Sequence, residues 1–232
     1  MAEPSNPHQN VSFPSNGTTA HGYLALPDSG RGPGLVVVQE WWGLTDHVVD
    51  VTDRFAAAGF VALAPDLYGG RTTHDPQQAA RMMQELPVEQ ATRDLSGAVD
   101  HLLAHESVTS SSVGTVGFCM GGMFVLVLAA QQGSRVGAAL PFYGLPSPAE
   151  TDFSGLTAPV LGHYGERDHT IGVEAVEETK SKIAADSRVT PTMHYYPAGH
   201  AFFNDRNPSS YDEESADLAW ERTLEFLHRH LG

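Results

Sequence analysis

Short, continuously apolar runs alternate along this chain with longer segments whose apolar residues recur every three or four positions. That alternation constrains the fold more than any other feature. It demands β-α-β units, in which strands covered on both faces read as unbroken hydrophobic runs. The runs predict strands at 22–26, 34–39, 60–64, 112–118, 137–143, 159–164 and 192–196. Between them, residues 46–58 carry Val48, Val51, Phe55 and Ala58 on one helical face, with Thr45 as a candidate cap and Gly59 as the stop. Residues 89–105 repeat the pattern with Ala91, Leu95, Ala98 and Leu102. A last helix, 212–231, has acids at its start and basic residues at its end, the polarity a helix dipole favours. The expected architecture is one α/β domain over 11–232, a mostly parallel sheet with helices on both faces, after a flexible lead at 1–10.

The charge balance narrows the partners. With 13 Lys and Arg against 28 Asp and Glu, the net charge is −15. Nucleic acid and anionic membrane surfaces both need a basic footprint, so neither is expected as a partner. The first residues have no basic stretch followed by an apolar one, and the apolar run at 123–130 is too short to span a bilayer. The single cysteine cannot form an internal disulfide. The cytoplasm is the expected compartment.

That cysteine sits in a telling place. Gly117-Phe118-Cys119-Met120-Gly121 follows a predicted strand and precedes a predicted helix. A sharp strand-to-helix turn lifts a nucleophile above the sheet, and small residues two places to either side let the turn close; this is the spacing of G-x-S-x-G, with cysteine replacing serine. A helix N-terminus also favours the thiolate, the reactive form. The alternative is a buried structural cysteine in a glycine turn.

Residues downstream weigh against that alternative. In this arrangement the nucleophile is followed by an acid and then a histidine. Asp168 closes the stretch Gly165-Glu166-Arg167-Asp168 after one predicted strand, and Gly199-His200 follows another. His200 would accept the thiol proton, and Asp168 would fix its tautomer. An oxyanion hole needs two N–H donors, here expected from Met120 and from Trp41 in the loop after the strand 34–39. Glu40, just before Trp41, is a costly place for a carboxylate unless it has a partner; an ion pair with an arginine is its plain alternative.

GFCMGG, GERD, AGHAFFND, QEWWGL and APDLYGG together resemble the dienelactone hydrolases (carboxymethylenebutenolidases), small Cys-His-Asp members of the α/β-hydrolase fold. The resemblance implies that Cys119, Asp168 and His200 form the triad and that Glu40 holds and helps deprotonate the resting thiol. It assigns the oxyanion donors to Trp41 and Met120. It also implies two arginines gripping a substrate carboxylate. Arg81 matches one of them; for the other, Asn204 stands near the expected place and Arg206 two residues beyond. Pairing with surface acids is the alternative for both arginines. Residues 144–158 leave too little chain for a helical cap, so an open pocket walled by Trp42, Tyr143, Phe202 and the segment 68–86 is expected.

The expected activity is hydrolysis of a small carboxylic ester or lactone through a covalent acyl-enzyme. A neutral aryl or alkyl esterase on the same triad, or a non-catalytic ligand-binding relative, are the alternatives. No cofactor and no metal are expected. His101 and His105 lie four apart but lack the rest of a zinc motif, and no phosphate-binding loop is present. The partner is a small molecule, and the assembly a monomer or small homo-oligomer.

Overall fold

The computed structural model of the chain describes residues 6–232. Its strands follow the order β1-β2-β4-β3-β5-β6-β7-β8 in one mostly parallel sheet, the α/β architecture that the alternation demands. The chain divides into two compact units, one up to Val113 and one from Gly114.

In the first unit, β3 (Gly34–Val38) and β4 (Val61–Pro65) are parallel and every residue in them is buried. β2 (Thr18–Ala25) runs antiparallel to β4, and β1 (Val11–Ser15) antiparallel to β2. The sequence reading missed β1 because Pro14 interrupts it. As an edge strand, β1 loses nothing through the missing N–H. The turn between them, Asn16 (φ 42°) and Gly17 (φ 87°), has the positive angles of a tight hairpin that twists with its strands. α1 (Asp46–Ala57) and α3 (Val88–Ala104) follow the predicted stripes. Thr45 stands at the N-cap of α1, yet its side chain makes no capping bond.

α2 (Pro76–Glu85) forms where only a pocket wall was expected. Asp75 accepts a hydrogen bond from the Gln78 N–H (2.9 Å), and proline at the first helical position has no N–H to waste.

The lead-in needs correction for residues 6–10. Asn6 Nδ2 donates to the Leu44 carbonyl (3.0 Å), Gln9 Nε2 to Asp66 (2.8 Å), and Asn10 clasps both the N–H and the C=O of Leu24. Short polar side chains that satisfy backbone groups hold this segment down, a signal that hydrophobic patterning does not carry. Residues 1–5 of the expected lead lie outside the described residues.

In the second unit, β5 (Val113–Phe118, all but its first residue), β6 (Val136–Phe142), β7 (Leu161–Gly165) and β8 (Thr192–Tyr196) are accompanied by α4 (Met120–Gln132), α5 (Val173–Asp186) and α6 (Glu213–Leu231). α4 is apolar on nearly every side and correspondingly buried. α5 is largely exposed and buries only Val176, Thr179 and Ile183, too thin a stripe to stand out in the sequence. Asp212 caps α6 through the Ser215 N–H (3.0 Å). Residues 143–160, between β6 and β7, contain no helix, so the short connection carries no cap. Phe118, Phe142 and Phe203 pack with ring centroids 4.9–5.3 Å apart, giving the strand ends a rigid aromatic floor. Among the described residues, no helix is long and apolar enough to cross a membrane.

Candidate active site

Cys119 is the residue between β5 and α4, and its backbone is strained: φ 54°, ψ −115°. Such positive φ is rare for a residue with a Cβ and persists where the surroundings impose it. Here they do. A Cβ on Gly117 would meet the Gly121 carbonyl oxygen at 2.4 Å, and one on Gly144 would meet the Cys119 carbonyl oxygen at 1.9 Å. The Cys119 N–H is bonded to the Phe142 carbonyl (3.0 Å), and its own carbonyl accepts from Gly122 (3.0 Å). The turn therefore holds the side chain at the start of α4, partly accessible to solvent.

Asp168 and His200 come together from the loops after β7 and β8. The two loops are stitched by Glu166 N–H to Tyr196 C=O (2.8 Å) and Arg167 N–H to Ala198 C=O (2.9 Å). Asp168 Oδ2 lies 2.7 Å from His200 Nδ1, while Oδ1 accepts from the Thr170 and Ile171 N–H groups (2.7 and 2.9 Å). Burial pushes the Asp168 carboxyl upward, but these bonds from His200 and the two backbone N–H groups outweigh it and hold the pKa below the ordinary value. The acid stays ionised and Nδ1–H of His200 points at it.

Burial alone would lower the pKa of His200. Hydrogen bonds to Asp168 and to Cys119, together with their negative charge, overcome it and raise the value to about 10. The His200 imidazole thus lies between the Cys119 sulfur and the Asp168 carboxylate. Sulfur, imidazole and carboxylate form one hydrogen-bonded row, the arrangement that nucleophilic acyl transfer needs.

The remaining sequence candidates take varied places. Met120 is the first residue of α4 and is buried. In the first unit, Glu40 is 2% exposed two residues past β3. Trp41 and Trp42 pack edge to face with ring centroids 4.8 Å apart, and the Trp42 carbonyl accepts from the Thr73 N–H (3.1 Å). Arg81 is exposed on α2.

Two expectations change. Tyr143 and Phe202, expected as pocket walls, are fully buried. Tyr143 packs edge-on to His200 at 5.3 Å and Phe202 packs on Tyr143 at 5.5 Å, so they brace the histidine instead of facing a substrate. Arg206 is mostly exposed and lies 3.8 Å from Asp205, its neighbour in sequence.

One group was overlooked. A groove of about 470 Å³ opens beside His200, lined among others by Arg167, His169, Ser209, Tyr211 and Asp212. Arg167 was visible next to Asp168, but without the fold nothing set it apart from any surface arginine.

The nucleophile-elbow geometry and the acid–histidine pair agree with the outcome of the comparisons. The dienelactone hydrolase family matches residues 20–231. The chain belongs to that family. It is a carboxylic ester hydrolase of the lactone-opening kind. An Aquifex aeolicus protein assigned as a carboxymethylenebutenolidase is 30% identical, the alignment covering 96% of this chain and 99% of that one. The structure of a Klebsiella pneumoniae protein assigned as a dienelactone hydrolase superposes with a TM-score of 0.83 at 31% identity, covering 94% of this chain and 97% of the other. A dienelactone hydrolase-like promiscuous phosphotriesterase from metagenomic libraries gives a TM-score of 0.86 at 26% identity, covering 96% and 97%. Dienelactone hydrolases are thus its relatives in both sequence and fold.

Proposed function

We propose that this dienelactone hydrolase-family chain opens a small ester or lactone through a covalent thioester on Cys119, with His200 and Asp168 completing a triad. The observation that carries the reading is the unbroken hydrogen-bonded row from Cys119 through His200 to Asp168. The thiolate adds to the substrate carbonyl carbon, and the carbonyl oxygen becomes an oxyanion met by the N–H groups of Met120 and Trp41. The C–O bond to the leaving group then breaks, and the departing alkoxide takes the proton from His200. Water attacks the thioester, giving a proton back to the imidazole, and the C–S bond breaks to release the acid. Asp168 keeps the imidazole in one orientation throughout.

The test is a panel of small esters and lactones, with and without a carboxylate, followed by acid release. Hydrolysis should survive a chelator and stop when Cys119 is alkylated with iodoacetamide. Intact-protein mass should show an acyl adduct on a slow ester. Hydrolysis that persists after complete alkylation, or a protein that binds the panel without turning it over, would overturn the reading.

Glu40 is proposed as the residue that organises the resting thiol. Glu40→Gln should slow the acylation burst by at least about tenfold while shifting the melting temperature little, since a hydrogen bond to a charged group contributes roughly 1.5–3 kcal/mol. A lowered melting point with wild-type burst kinetics would make Glu40 a structural ion-pair partner.

Substrate charge separates two versions of the reading. If Arg81 grips a carboxylate, Arg81→Ala should raise KM for anionic lactones about ten- to a hundred-fold and leave neutral esters unchanged, the same magnitude for one charge-assisted bond. Paired kinetics on a neutral and an anionic lactone of the same ring decide the point. If Arg206 grips the carboxylate instead, Arg206→Ala should give the same split, and no change in either variant would support the second version, a neutral aryl or alkyl esterase.

A further inference from the structure

Behind the candidate site lies a buried histidine that the reaction does not use. His163 is in the middle of β7 and fully buried. Its Nδ1 is 2.7 Å from the Tyr196 hydroxyl and its Nε2 is 3.1 Å from Thr223 Oγ1. The Tyr196 oxygen also receives Nη1 of Arg222 at 3.2 Å.

One arrangement satisfies the whole row: the Tyr196 oxygen accepts from Arg222 and gives its own proton to His163 Nδ1, and the ring proton sits on Nε2 and is donated to Thr223. Facing His163 are Phe142 of β6 at 4.3 Å, His194 of β8 at 6.0 Å, Tyr196 of β8, and Arg222 and Thr223 of α6, none of which is an acid that would hold the ring protonated. Burial, with the positive charges of His194 and Arg222, drives the His163 pKa well below its ordinary value.

What the ring ties together matters more than its charge. The His163 carbonyl accepts the Tyr143 N–H (2.8 Å) at the end of β6, where Tyr143 takes a strained φ of 35° and packs on His200. Gly165, two residues on, pairs with Tyr196, and from those two positions the chain runs on to Asp168 and His200. The Tyr196 ring in turn packs on Phe202 at 5.0 Å. The imidazole therefore ties β7 to the end of β8 through Tyr196 and to α6 through Thr223, while the tie to Tyr143 at the end of β6 runs through the His163 main chain.

We propose that His163 is a positioning residue: its Nε2–H imidazole, bridging Tyr196 and Thr223, sets the strand ends that hold Asp168 and His200 at working distance from Cys119. The inference rests on the triad reading above.

Three variants test it. His163→Leu removes both bonds, Tyr196→Phe removes one, and His163→Asn offers an oxygen near the Nδ1 position to accept from Tyr196. Readouts are kcat and KM on a small neutral ester, p-nitrophenyl acetate, and the rate of Cys119 alkylation by iodoacetamide at fixed pH. A displacement of about 1 Å at a site can cost about a hundred-fold. The Leu and Phe variants should lose ten- to a hundred-fold in kcat with KM nearly unchanged. Alkylation should slow in parallel, as His200 no longer faces the sulfur squarely, and the Asn variant should regain most of both. If His163→Leu does not fold, Tyr196→Phe decides alone. Wild-type kcat and wild-type alkylation in folded Tyr196→Phe, whatever its melting temperature, would overturn the proposal. Should the wild type hydrolyse no ester, the triad reading falls, while the alkylation comparison still decides the role of His163.

Discussion

Cys119→Ala is expected to abolish turnover to the background rate while leaving the fold intact. The sulfur is the one atom in the row able to form the covalent intermediate, and no other cysteine exists in the chain to replace it. Removing a nucleophile that acts as a unit with its base removes nearly the whole contribution of the unit; in a serine protease the comparable loss is of the order of 10⁶ in kcat. Deleting one sulfur atom from a partly accessible position creates no core cavity, so melting should shift by little. The measurement is initial-rate hydrolysis beside a thermal melt and circular dichroism. Retained turnover in a folded Ala variant would end the covalent reading and leave His200 as a base for direct attack by water.

Asp168→Asn carries the next largest effect. The amide keeps the shape of the carboxylate but offers His200 no charge and can present an N–H to Nδ1, favouring the wrong tautomer. In a serine protease the matching change costs about 10⁴ in kcat, and a loss of that order is expected here. The pH profile should move as well. His200 is held protonated up to about pH 10 by Asp168 first and Cys119 second, against the effect of burial. A folded-state pKa above the ordinary 6.5 means that the pairing stabilises the fold fully below that value and that this stabilisation fades as the pH rises through about 10. In Asp168→Asn the fading should be complete at lower pH, so the melting temperatures of the two proteins should converge at alkaline pH and differ most near neutrality. Equal gaps at every pH would show that Asp168 acts only through its bonds to the Thr170 and Ile171 N–H groups.

Which parts of this were legible from sequence follows from the kind of signal each part leaves. Cys119, Asp168 and His200 sit at strand ends, where hydrophobic runs stop and glycines start, so their order along the chain marks them as candidates. β3 to β6 announce themselves because buried parallel strands must be largely apolar. β1 and α5 did not: an edge strand tolerates Pro14, and a helix that buries only Val176, Thr179 and Ile183 looks like solvated charge. Tyr143 and Phe202 were placed near the site but given the wrong side, since aromatic residues beside a catalytic histidine can face substrate or core, and only packing decides. His163 left no trace because its partners Tyr196 and Thr223 lie 33 and 60 residues away.

The backbone at Cys119 has one more consequence. A position with φ 54° and ψ −115° penalises every side chain, by about 1–3 kcal/mol, and glycine least. The residue that the proposed chemistry uses is therefore not the one the turn prefers, and the difference is carried by neighbouring contacts such as those of Gly117 and Gly144. If Cys119→Gly melts higher than the wild type while losing turnover, the turn is shown to hold the cysteine against its own mechanical preference.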